Sequence, residues 1–199
     1  MYLKKLLILC PAAILLFSCG PSANSSLEVQ HNDTLAPASD PQLGEQPVKT
    51  IIAFLEWYKG YHFSGKTPMV MDTAFVQGDT TRYYRVNFKG TEEYLGELKN
   101  SGFVSEEYLE GWRKDFRRSD EYMRTHPEND GPPNGFDYDL VTLSQEDIGL
   151  DSLERTKVGP ITKEAGGVRV RLEFPNYAAL TYRLHQEGDR WLIDKVSVE

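Results

Sequence analysis

Apolar residues recur at spacings of three and four along PVKTIIAFLEWYKGYHFS, residues 47–64: Val48, Ile51, Ile52, Leu55, Trp57, Tyr58, Tyr61 and His62. That spacing predicts a helix with a broad apolar stripe, and Pro47 stands where a first helical residue needs no N–H. A loop is expected over 65–79, punctuated by Pro68 and Gly78. TRYYRVNF, 81–88, reads as a short strand or as helix. Thr91 with Glu92 and Glu93 predicts a helix start and Gly102 its stop. A third helix is expected from Ser105 to about Arg124, with Leu109, Trp112, Phe116 and Met123 as its stripe and Tyr108 one turn before Trp112. The Pro/Gly stretch 126–135 ends it.

The period then changes. Val168, Val170, Leu172 and Phe174 alternate with Arg169, Arg171 and Glu173, the pattern of a half-buried strand. Further strands are expected at 177–186, at 191–198 after the turn Glu187-Gly188-Asp189, and around 153–161. Helices first and an antiparallel meander after them predict the α+β class.

The first 46 residues follow neither period. Lys4 and Lys5 precede an apolar run from Leu6 to Phe17, the plan of an export signal. The run is shorter than the roughly 20 residues of a membrane span. Leu16-Phe17-Ser18-Cys19-Gly20 resembles a bacterial lipobox, and that resemblance implies a signal peptide over 1–18 and a lipid on Cys19. Cys10 fits less well, because large Leu9 precedes it. Residues 19–46, rich in Pro, Ser, Asn and Asp, then read as a disordered tether, leaving 47–199 as the folded domain. Localisation is expected in the cell envelope, lipid-anchored and facing the periplasm, since no acidic run follows Cys19. Of the 2 cysteines one leaves with the leader and the other carries lipid, so no disulfide is expected in the domain.

Charge excludes one class of partner. The chain carries a net charge of -8, and losing Lys4 and Lys5 makes it more acidic still, which argues against nucleic-acid binding through a general basic surface.

FLEWYKGYH in the first helix, FDYDLVTLSQEDIG (136–149) and WLIDKVSVE at the end resemble an uncharacterised family of bacterial envelope proteins with the nuclear-transport-factor-2-like, or cystatin-like, fold. The family's middle segment usually has Asp-Pro and then Gln-Asp; here Leu140 replaces the Pro, and Glu146 is inserted within Gln145-Glu146-Asp147. The resemblance implies a curved antiparallel sheet wrapped around the first helix as a cone with a pocket. It implies no activity, because the fold serves enzymes and binding modules alike.

Several strings bear on chemistry. Gly60 to Thr67 satisfies G-x-x-x-x-G-K-[ST], the phosphate-binding P-loop pattern. A working P-loop follows a strand and opens a helix, whereas here a helix precedes and Pro68 disfavours helix at Thr67. Trp191-Leu192-Ile193-Asp194 mimics the second acidic motif of such proteins superficially. Asp137 and Asp139 flank Tyr138 and suit turn chemistry, or cation binding with Glu146 and Asp147. His62 with Asp137 or Asp139 would make an acid–base pair if one cavity held them. His31 and His126 are expected in solvent and His185 on a strand, without zinc spacing. Arg113, Lys114, Arg117 and Arg118 read as a solvated face, with Glu110 placed to pair with Lys114. Trp57, Tyr58, Tyr61, His62, Tyr108 and Trp112 are candidate pocket-lining residues, although helical spacing favours core for the aromatic ones. The expectation is a non-enzymatic lipoprotein without a cofactor or metal, whose domain binds a protein partner or small ligand. The alternatives are a pocket enzyme using His62 with Asp137 or Asp139, and nucleotide binding through Gly60 to Thr67.

Overall fold

A computed structural model describes residues 44–176 and 179–198. The leader, Cys10, Cys19, His31 and all but the last residues of the tether lie outside the described residues.

Helix α1 (Gln46–His62) has Pro in its first turn and buries Ile51, Phe54, Leu55 and Tyr58, one face at i, i+3, i+4 and i+7. Phe54, fully buried, belongs to that face although the stripe read from the sequence omits it; Val48, Ile52, Trp57 and Tyr61 flank it, half-buried.

The expected loop after α1 contains a strand. Strands β1 (Met71–Phe75) and β2 (Arg82–Val86) form an antiparallel hairpin. Asp79 Oδ1 accepts the Thr81 N–H at 2.8 Å, and Gly78 supplies the turn with φ +85°. Strand β1 shows little alternation because neither of its faces is buried.

Helix α2 (Phe88–Asn100) begins three residues before the expected Thr91. The cap is Asn87, whose side chain accepts the Gly90 N–H at 3.0 Å. Thr91 is buried instead, its hydroxyl donating to the Phe88 carbonyl. Gly90 lies so close to the Met69 carbonyl that a Cβ there would stand 2.0 Å from its oxygen. Helix α3 (Glu106–Thr125) is capped by Ser105, which accepts the Tyr108 N–H, and two glutamates occupy its first turn.

The strand expected from Leu153 begins later. Asp147 Oδ1 accepts the Gly149 and Leu150 N–H groups, and a 3-10 segment, Leu150–Arg155, buries Leu150 and Leu153 beside α1. Strand β3 (Lys157–Glu164) follows, then β4 (Gly167–Glu173), β5 (Ala179–Glu187) and β6 (Arg190–Val198), all antiparallel in sequence order. The domain is mixed α+β, as the change of period predicts.

One face of this sheet carries Val168, Val170, Leu172, Leu180, Tyr182, Leu184 and Ile193 into the common core with α1, α2 and α3. The β6 edge is covered where Ser105 donates its N–H to the Ile193 carbonyl and Ile193 donates to the Phe103 carbonyl. The β3 edge is broken by Gly159-Pro160, where the register with β4 shifts, which discourages pairing with another chain.

Candidate functional site

The C-terminal end of α1 meets the long connection between α3 and the 3-10 segment. That connection folds on itself around Asp139. Its backbone N–H donates to the Ser144 carbonyl at 2.9 Å, and Leu143 donates back to the Asp139 carbonyl at 2.8 Å. Asp139 Oδ1 accepts from the Val141 N–H (3.0 Å), the Thr142 N–H (2.7 Å) and the Thr142 hydroxyl (3.0 Å). The tight loop places Leu143 at φ +52°, a left-handed conformation unusual for a branched side chain.

The second oxygen of Asp139 faces α1. Tyr58 donates its hydroxyl to Oδ2, and His62 Nδ1 lies 3.7 Å from the same atom and 3.4 Å from the Tyr58 oxygen. Burial foremost, and then the negative charge of Asp139, raise the Tyr58 phenol far above its ordinary value. Tyr58 is therefore a permanent donor at physiological pH.

Beside this trio is a hollow of about 470 Å³. Tyr58, His62, Phe63, Phe136 and Tyr138 give it apolar and aromatic walls, and Asp137, Ser144 and Gln145 bring polar groups to its rim. Phe136 is fixed by stacking on Phe116 of α3, with centroids 6.0 Å apart. Phe63, one residue beyond α1, is 70% exposed at the mouth. A hollow of this size with few convergent polar groups is the usual form of a small-molecule site.

Asp137 and Asp139 both line this hollow with His62, but they hold different partners. Asp137 accepts from the Gln145 side chain at 2.8 Å, whereas Asp139 meets Tyr58 and His62. Asp139 and Asp147 engage backbone N–H groups, and no group of three or more His, Cys, Asp or Glu among the described residues is placed to hold a metal ion. Turn chemistry is the role these two carboxylates perform.

The six candidate lining residues are divided among three hollows. Tyr58 and His62 belong to the one just described, Trp57 and Tyr61 to a second beside Glu97, and Tyr108 and Trp112 to a third beside Lys114. Trp57 and Tyr61 stack at 5.3 Å and Trp112 stacks on Phe116 at 5.7 Å. Tyr108 is buried in the core.

Gly60 to Thr67 has no P-loop geometry. Gly60, Tyr61 and His62 are the last turn of α1, Gly65 is a turn residue at φ +69°, and the next element is β1 rather than a helix. Asp194 of Trp191-Leu192-Ile193-Asp194 sits on β6 and bonds His185 Nδ1 at 2.7 Å. His126 is exposed and stacks on Tyr122 at 4.3 Å. On α3, Glu110 pairs with Arg113 and Arg117 rather than with the expected Lys114, Arg118 pairs with Asp115, and Arg113 also grips Glu92 of α2 with two nitrogens. Thr142 is the contributor that sequence reasoning missed. The spacing Asp139-x-x-Thr142, with the side chain reaching N–H groups two and three residues on, is its signal.

Comparison of the chain with protein-family models, with curated proteins and with solved structures yields no match.

Proposed function

We propose that this protein is a lipid-anchored envelope protein whose α+β domain holds a small ligand in the hollow between the end of α1 and the Asp139 loop. The observation that carries the binding reading is the hollow itself: about 470 Å³, walled by Tyr58, Phe63, Phe136 and Tyr138, with His62, Ser144 and Gln145 at hand for orientation. Asp139 is committed to Tyr58 and to its own loop, which makes it a support for the wall. Anchoring rests on Leu16 to Gly20 and the apolar run before them. A cystatin-like cone is the finer form of the fold we infer, supported by the three sequence patches and by a four-stranded antiparallel sheet with helices on one face.

The binding test is amide chemical-shift mapping while a small-molecule extract of the host envelope is added. Shifts concentrated at His62, Phe63 and residues 136–145 are expected; shifts absent or centred elsewhere contradict the site. For the anchor, Cys19→Ala is expected to move the protein from membrane to soluble fractions. A variant that stays with membranes, without lipid-linked mass in the wild type, overturns that part.

A second reading is favoured by one distance. His62 lies 3.7 Å from Asp139 at the rim of the hollow, within the reach that general acid–base work requires once a substrate tightens the site. On that reading His62 moves a proton and Asp139 orients the imidazole. The recovered ligand would then be chemically altered by the wild type and unaltered by His62→Gln. Identical recovery from both would leave binding alone.

A further inference from the structure

The face of the main sheet turned away from the core carries a row of like charges. Arg169 of β4 stands opposite Arg183 of β5, and Arg183 stands opposite Lys195 of β6. Neighbouring strands are about 4.8 Å apart, so three cations occupy one rung of the sheet, in a chain of net charge -8. Like charges directly opposite one another destabilise a sheet. Something must offset that repulsion.

Among the described residues, two of the three cations have a carboxylate partner. Glu164 of β3 pairs with Arg169, and Glu107 in the first turn of α3 pairs with Arg183. Three cations thus face two carboxylates. Lys195 has no partner among the described residues. The nearest acid in sequence, Asp194, occupies the bulge of β6 and bonds His185 instead. Arg183 adds a second sign: its Nε is shielded from solvent and has no acceptor among the described residues. A shielded donor without an acceptor carries a desolvation cost, which an anion drawing the guanidinium outward would relieve.

The row lines a hollow of about 410 Å³, in which Thr181 and Ser197 form the adjacent rung. Guanidinium forks, an ammonium and a hydroxyl converging from three strands suit an anion with several terminal oxygens. We propose that this rung, Arg169–Arg183–Lys195 with Ser197, is a binding site for a phosphate group, whether free, on a small ester or on a lipid headgroup. The site is on the open face of the sheet and is independent of the hollow at α1.

Calorimetric titration of the full chain with inorganic phosphate, against chloride at equal ionic strength, tests it. The companion experiment is co-sedimentation with phosphatidylcholine vesicles with and without phosphatidic acid. Saturable phosphate binding is expected, weakened at least about tenfold by Lys195→Ala and also weakened by Arg169→Gln. Both positions are exposed, so melting curves matching the wild type are expected and separate loss of the site from loss of the fold. Phosphate binding without vesicle binding assigns a free phosphate or ester. Vesicle binding that needs phosphatidic acid and Lys195 assigns a headgroup. Absence of both, or binding that neither substitution changes, overturns the proposal.

Discussion

At Tyr58 a phenol enclosed by the core donates to the carboxylate of Asp139, with His62 Nδ1 3.4 Å away, and the hydroxyl joins α1 to the loop that shapes the hollow. Tyr182 is the contrast: it is fully buried, and its hydroxyl has no partner among the described residues. Removing a bonded hydroxyl strands the group it served, whereas removing an unbonded one relieves a desolvated dipole. Tyr58→Phe is therefore expected to lower stability by about 1–2 kcal/mol, and Tyr182→Phe to leave it unchanged or raised. Denaturant midpoints of the two variants check this; equal losses in both would contradict it. Burial also raises the phenols of Tyr94 and Tyr182 well above the ordinary value and that of Tyr108 to about 12. An unfolded chain releases these protons near pH 10 while the folded chain keeps them. Their contribution is constant below about pH 10 and is lost as pH rises towards the folded values. Tyrosinate absorbance followed through an alkaline titration should show these phenols ionising together with unfolding. Free titration of all 11 tyrosines near pH 10 in an intact fold would refute it.

Among the elements, the β1–β2 hairpin depends most on a few polar ties. Asp120 of α3, buried, accepts the Val86 N–H at 3.3 Å and an Arg124 nitrogen at 2.7 Å, while Arg85 donates to the Met123 carbonyl at 3.0 Å. Asp120→Ala leaves the Val86 N–H without its acceptor at a cost of about 1–3 kcal/mol, and the loss falls on the hairpin. Hydrogen exchange should quicken across β2 and remain unchanged in β4 and β5; uniform acceleration would show that the hairpin is not a separate unit. This division also explains what was legible beforehand. Strand β4, with one wet and one buried face, declares itself by alternation, and α1 and α3 by their stripes. Strand β1 buries neither face fully and so writes only a weak period. The 3-10 segment hides because Leu150 and Leu153, a single apolar pair three apart, are too short a pattern to declare a helix. Tyr58, His62 and Asp139 are each visible as candidates, but the bond from Tyr58 to Asp139 spans 81 positions, and local pattern holds no record of such a pairing.

For the whole molecule, the two proposed binding sites fall on different sides of the main sheet. One face of the sheet supports α1 and, through α1, the hollow beside Asp139; the other presents the cation row. With the proposed lipid on Cys19 the domain would be held at a membrane, where a small ligand would be met in the envelope. On the proposed reading the hollow is occupied in the cell. Native mass spectrometry of the full-length protein, extracted with detergent from its own host, decides it. A stoichiometric small-molecule adduct is predicted, diminished by Phe136→Ala and by His62→Ala, substitutions in the wall and at the rim. A bare mass, or an adduct that both variants retain in full, would contradict it.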